Sequence, residues 1–141
     1  MSSHRLDENH VEEELMNLGR FPILFTGVRI FDILGIPPAA TLPLMILFGD
    51  DEPQTRTLRH EMIHHKQYKE LCFIFFLPLY FLHVFLTFPY YAIKHKSLGV
   101  MEEVYYNNPF EQEAYANQCD PTYLKRRPRF AWIRYLFNRE D

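Results

Sequence analysis

His60-Glu61-Met62-Ile63-His64 is the stretch on which the reading of this chain turns. On an α-helix, residues four apart share a face with Cβ atoms roughly 5–6 Å apart, so His60 and His64 can aim two imidazole nitrogens at one point. Glu61 is rotated around the helix to where its carboxylate can reach a water held at that point. His-Glu-x-x-His on a helix suits zinc, whose catalytic sites take three protein ligands and leave one position open. With 7 histidines in 141 residues, a shuffled chain would carry this pattern about 0.03 times, so coincidence is the weaker account. The surroundings agree. Neither Gly nor Pro interrupts residues 54–77, and Leu58, Met62 and Ile63 give the helix an apolar side.

Two histidines are not three ligands. The remaining candidates are His65, His83, His95, Glu102, Glu103, Glu111 and Glu113. His65 points about a third of a turn off the His60–His64 face and cannot join it on a regular helix. The better source is residues 107–115, where Asn108 is a natural N-cap and Pro109 fits the first helical position. This second helix lies far enough along the chain to fold back antiparallel against the first. Its two carboxylates, Glu111 and Glu113, face different ways, and the small Ala114 permits close packing. Gln67, three residues beyond His64 on the ligand face, is placed to orient a ligand from behind. Tyr115 and Tyr106, with Tyr105 and His95, are candidate donors to a developing oxyanion.

The arrangement resembles the gluzincin metallopeptidases, in which His-Glu-x-x-His on one helix is completed by a Glu from another. In membrane-linked members the second helix reads roughly Glu-x-x-Ala-Asp. Here it reads Glu111-Gln112-Glu113-Ala114-Tyr115, which places the ligand at Glu111 and departs from the pattern at Tyr115. Residues 58–127 are similar to a group of small uncharacterised proteins known from Bacteroidetes. Their pattern of His-Glu-x-x-His-x-x-Gln, an aromatic apolar run, Phe-Glu-x-Glu-Ala-Tyr and Tyr-Leu-Lys-x-Arg appears here at residues 60–67, 110–115 and 123–127. The resemblance implies zinc held by His60, His64 and Glu111, with Glu61 as general base in peptide-bond hydrolysis.

Around this centre the chain reads as mainly α, with α+β as the alternative, and as one domain over residues 21–141 preceded by a polar tail or short helix over 1–20. Phe21 onward to residue 34, and residues 42–48, are apolar runs expected to be strands or extended segments flanking the metal helix. The net charge of −3 and pI near 6.2 give no footprint for nucleic acid. Cys72 and Cys119 are too few and too scattered for a disulfide framework or a cysteine zinc site, and read as buried or neutral thiols in a reducing compartment. No signal segment opens the chain, so an intracellular protein is the default.

Residues 71–93 carry no Asp, Glu, Lys or Arg and are flanked by Lys66, Lys69, Lys94 and Lys96. They meet the length criterion for a membrane helix. Pro78, Pro89 and His83 argue instead for a core helix broken at Pro78, so membrane association or integration stands beside a soluble core. Lys125, Arg126, Arg127, Arg129, Arg134 and Arg139 lie among aromatics near the C-terminus and suit either a solvated face or anionic lipid. Residues 122–127 and 129–138 are expected to be short helices. The functional expectation is a zinc-dependent peptidase acting on a peptide or protein substrate, with membrane as a partner. The competing expectations are a zinc clasp in a non-catalytic membrane-associated protein and a metal-free structural protein.

Overall fold

The computed structural model describes residues 23–25, 27–34, 39–42, 45–49 and 54–137. The expected N-terminal tail and the turn at residues 35–38 lie outside the described residues. Three short strands, β1 (Ile23–Phe25), β2 (Ala39–Leu42) and β3 (Met45–Phe48), form one sheet in the order β1-β3-β2. β1 runs parallel to β3 and β2 antiparallel to it. A one-turn helix, α1 (Ile30–Leu34), follows β1. The first apolar run therefore contains a helix as well as a strand, and residues 42–48 contribute to two strands of an antiparallel pair rather than to one.

The rest is helical: α2 (Thr55–Glu70), α3 (Phe76–His95), α4 (Met101–Tyr106), α5 (Pro109–Asn117), α6 (Tyr123–Arg126) and a final 3-10 helix (Ala131–Leu136). The mainly α expectation, with a small sheet and an apolar helix, is what the structure shows.

α2 is organised by two faces. Leu58 and Met62 pack with Ile46 of β3 in one buried cluster. Thr41 pairs directly with Ile46 across the strands, so both side chains lie on the sheet face that meets α2. The other face of α2 meets α5. Ile63 packs on Ala114, whose lack of bulk lets the helices approach, and Tyr123 closes that cluster. Contacts pair Arg59 with Gln118, His60 with Glu111 and Gln67 with Phe110, in opposite order along the two helices. The antiparallel arrangement expected of them is therefore present. Asn108 caps α5 as its sequence indicates, accepting from the Phe110 amide at 3.1 Å.

α2 does not run on into the apolar helix. Phe73 N–H donates to Tyr68 O at 2.7 Å, and Cys72 and Phe73 take left-handed φ values of 54° and 60°. No glycine announces this break. The gain is packing: Leu71 and Phe73 fold onto Tyr68, Phe76 and Phe110 in an aromatic cluster that Trp132 completes. The apolar helix thus begins at Phe76, not at residue 71. Pro78 sits in its first turn, where a missing N–H costs nothing, and the helix is not broken there. Pro89 is accommodated inside it. Of this helix only Phe76 is buried, although the helix is long and apolar enough to cross a membrane. Both cysteines are exposed free thiols, so of the two expected alternatives the buried one does not hold. The C-terminal stretch expected to be helical over 129–138 is a 3-10 turn opened by Phe130 in a left-handed conformation.

Candidate metal centre

α2 and α5 bring together the three side chains that the resemblance selects. His60 Nε2 lies 3.2 Å from Glu111 Oε2, His64 Nε2 3.3 Å from the same oxygen, and the two ring nitrogens are 3.1 Å apart. All three residues are buried. In a tetrahedral site with bonds of roughly 2.0–2.1 Å, the donor-to-donor edge is about 3.3 Å, which the observed triangle matches.

The hydrogen-bond pattern behind the rings fixes what these atoms present. Gln67 Nε2 donates to Phe110 O at 3.1 Å and to Glu113 Oε2 at 3.0 Å. This turns its Oε1 toward His64 Nδ1 at 2.7 Å. A carbonyl oxygen only accepts, so His64 carries its hydrogen on Nδ1 and offers a lone pair at Nε2. Gln118 Oε1 does the same for His60 Nδ1 at 3.1 Å. Three acceptor atoms therefore converge. A proton on His64 serves one neighbour at a time, whereas a small cation serves all three.

The charges respond to this crowding. Burial opposes a charged His64, but the Glu111 carboxylate outweighs burial and pushes the imidazole up to about 9. Burial would raise Glu111, yet the His64 and His60 rings hold it well below the ordinary carboxylate range. In chelator-treated protein, His64 has a folded value above its ordinary 6.5, so its contribution to stability is full below 6.5 and is lost as pH rises through about 9. Glu111, depressed from 4.5, contributes above that value. A cation must displace the His64 proton. Apparent metal affinity is thus expected to rise about tenfold per pH unit up to pH 9. Titration calorimetry in buffers of different ionisation enthalpy should find one proton released below that pH, and a pH-independent affinity would contradict it.

Glu61 is not a member of the triangle. Thr41 of β2 donates to its Oε2 at 2.5 Å and to its backbone carbonyl at 3.0 Å. Glu61, His64 and Glu111 share a cavity of about 240 Å³ with Thr41, Phe76, Leu77, Tyr80, Phe81 and Tyr105. Tyr80 donates to the second oxygen of Glu111 at 3.1 Å. Burial, then the nearby Glu111 charge, pushes the Tyr105 phenol far up, so it stays a donor. Tyr115 sets its ring edge-on to His60 with centroids 4.5 Å apart, and Tyr106 packs behind Tyr115 at 5.1 Å. Neither Tyr115 nor Tyr106 lines the cavity, whereas Tyr80 and Tyr105 do. His95 pairs with exposed Glu103 at 2.9 Å and is no part of the site. His65 is buried beside Phe73, and burial followed by the charges of Lys69 and Lys66 lowers it to about 4.

Glu113, the carboxylate that faces away, is fully buried and accepts from Gln67, Tyr123 and Arg127. Arg127 also reaches Glu70 at 2.5 Å. The Phe-Glu-x-Glu-Ala-Tyr and Tyr-Leu-Lys-x-Arg segments thus meet in one network that ends on the His64 ring. Sequence reasoning missed Thr41, Gln118 and Tyr80. Gln118 had a signal, lying two turns beyond Glu111 on the same helix face. Thr41 had none, since only the strand packing brings it to Glu61. No family model, curated protein or solved structure matches this chain.

Proposed function

We propose that His60, His64 and Glu111 hold a zinc ion and that the protein hydrolyses peptide bonds while associated with a membrane. The observation that carries this reading is the convergence of two imidazole lone pairs and one carboxylate oxygen within 3.3 Å, each ring backed by an amide oxygen. Zinc in that place would supply Lewis acidity, polarising a carbonyl and making a water acidic near neutral pH. Glu61, steadied by Thr41 and facing the cavity, accepts the proton of the attacking water and passes it to the leaving amine. Tyr105 lines the same cavity, and its hydroxyl, now bonded to Tyr115, would turn to the carbonyl oxygen as charge gathers there. The cavity wall of Phe76, Leu77 and Phe81 is apolar and favours an apolar residue beside the scissile bond. Membrane association is supported by α3, in which only Phe76 is buried and an 18-residue stretch has a mean hydropathy of 1.4.

A structural clasp has no use for a carboxylate held open to a cavity, and the position of Glu61 favours catalysis over that role. Protein purified without added metal should carry about one equivalent of zinc, and Glu111→Ala should carry almost none. Gln67→Ala should bind zinc about 10–100-fold more weakly. Zinc present without hydrolysis of any peptide library would leave the clasp, and absence of zinc from the wild type would remove the whole reading.

A further inference from the structure

α3 turns its polar side chains inward. Tyr80, His83, Thr87 and Tyr91, three or four residues apart, lie half-buried along one side of the helix. Leu77, Phe81, Leu82, Phe85, Leu86 and Ile93 are exposed, with Phe85 and Ile93 each at 77%. This reverses the amphipathic pattern of a surface helix in water. Residues 71–93 add no Asp, Glu, Lys or Arg to the outward face. A continuous apolar face of this extent marks an interaction surface.

The chain after α3 folds straight back along it. His95 Nε2 meets Glu103 Oε2 at 2.9 Å, and Asn108 Nδ2 donates to Tyr80 O at 3.4 Å. Twenty residues of helix are about 30 Å long, enough to cross the hydrocarbon core. A crossing orientation would nevertheless draw the returning segment, with Glu102, Glu103 and Asn107, toward the hydrocarbon, where charged and polar side chains are costly. An orientation in the plane of the membrane removes the conflict. It leaves the outward face in acyl chains and the returning segment in water.

From this arrangement we infer that α3 lies along one face of an anionic bilayer, its outward side among the acyl chains and both its ends at the headgroups, without crossing. Exposed Lys69 precedes the helix, and exposed Lys94 and Lys96 close it. That is the charge anionic headgroups attract. Lys94 Nζ lies 6.0 and 5.8 Å from the Tyr90 and Tyr91 ring centroids, which places aromatic rings and a cation together at one end. The same lysines disfavour a second copy of the chain as occupant. Pairing two such faces, parallel or antiparallel, sets lysine against lysine. The inference rests on the membrane association proposed above and does not require the metal.

The test uses the full chain with Cys119→Ser and Ser97→Cys, which leaves one thiol at each end of α3, at native Cys72 and at position 97. The protein is reconstituted in sealed vesicles of phosphatidylcholine and phosphatidylglycerol and treated with a membrane-impermeant maleimide. Each molecule should carry two labels or none by mass spectrometry, because both ends share a side. Phe85→Glu with Leu86→Glu should lower the vesicle-bound fraction about tenfold, since both side chains lie in the lipid face. Its circular dichroism and zinc content should stay unchanged. A population with one label per molecule would show a crossing helix and overturn the orientation. Failure of the parent protein to float with vesicles, including its appearance as a stable dimer instead, would overturn the bilayer as occupant.

Discussion

Glu61→Gln is expected to keep its zinc and lose its turnover. The substitution preserves shape and the contact with Thr41, and it touches none of the three converging donor atoms. Metal content and melting temperature should therefore match the wild type. What disappears is the group that takes the proton. General-base contributions run to about 10²–10⁴-fold, so kcat should fall by that factor with KM little changed. Because Glu61 lies on the cavity wall with His64 and Glu111, a loss of zinc in this variant would mean that its carboxylate is a ligand rather than a base. Undiminished hydrolysis would take it out of the reaction.

Arg127→Ala carries the largest expected effect on stability. The Arg127 side chain is 3% exposed and Glu113 not at all, and Arg127 also holds Glu70. Removing one partner of a buried ion pair strands the other charge and costs about 3–5 kcal/mol. For a domain of this size, that lowers Tm by roughly 10–20 °C. Arg127→Lys keeps the charge but not the fork that reaches Glu70 and Glu113 together, so it should fall between. Thermal unfolding followed by circular dichroism decides the matter. A shift of only a degree or two for Arg127→Ala would show that water reaches the network and that the pair contributes as a surface bridge does.

The centre of the site was legible because its signals are local. His60, Glu61 and His64 are fixed by helical spacing, and α5 is announced by Asn108 and Pro109. What could not be read depends on distant parts of the chain. Thr41 reaches Glu61 only because β2 and β3 pair in a register that turns Thr41 and Ile46 toward α2. The end of α2 was invisible for a related reason. Residues 54–77 contain neither Gly nor Pro, and the left-handed pair Cys72 and Phe73 exists because aromatic packing outweighs the backbone preference. Tyr80 gave no signal either, since hydropathy reports where a helix can lie but not which hydroxyl turns back to a carboxylate.

Tyr80 has two attachments, its chain belonging to the exposed helix and its hydroxyl to Glu111. Reciprocity follows from that one bond. Any surface that steadies the helix also steadies the carboxylate, and by thermodynamic necessity a cation gripping the carboxylate tightens the helix on its surface by the same factor. Tyr80→Phe cuts this thread while leaving both attachments otherwise whole.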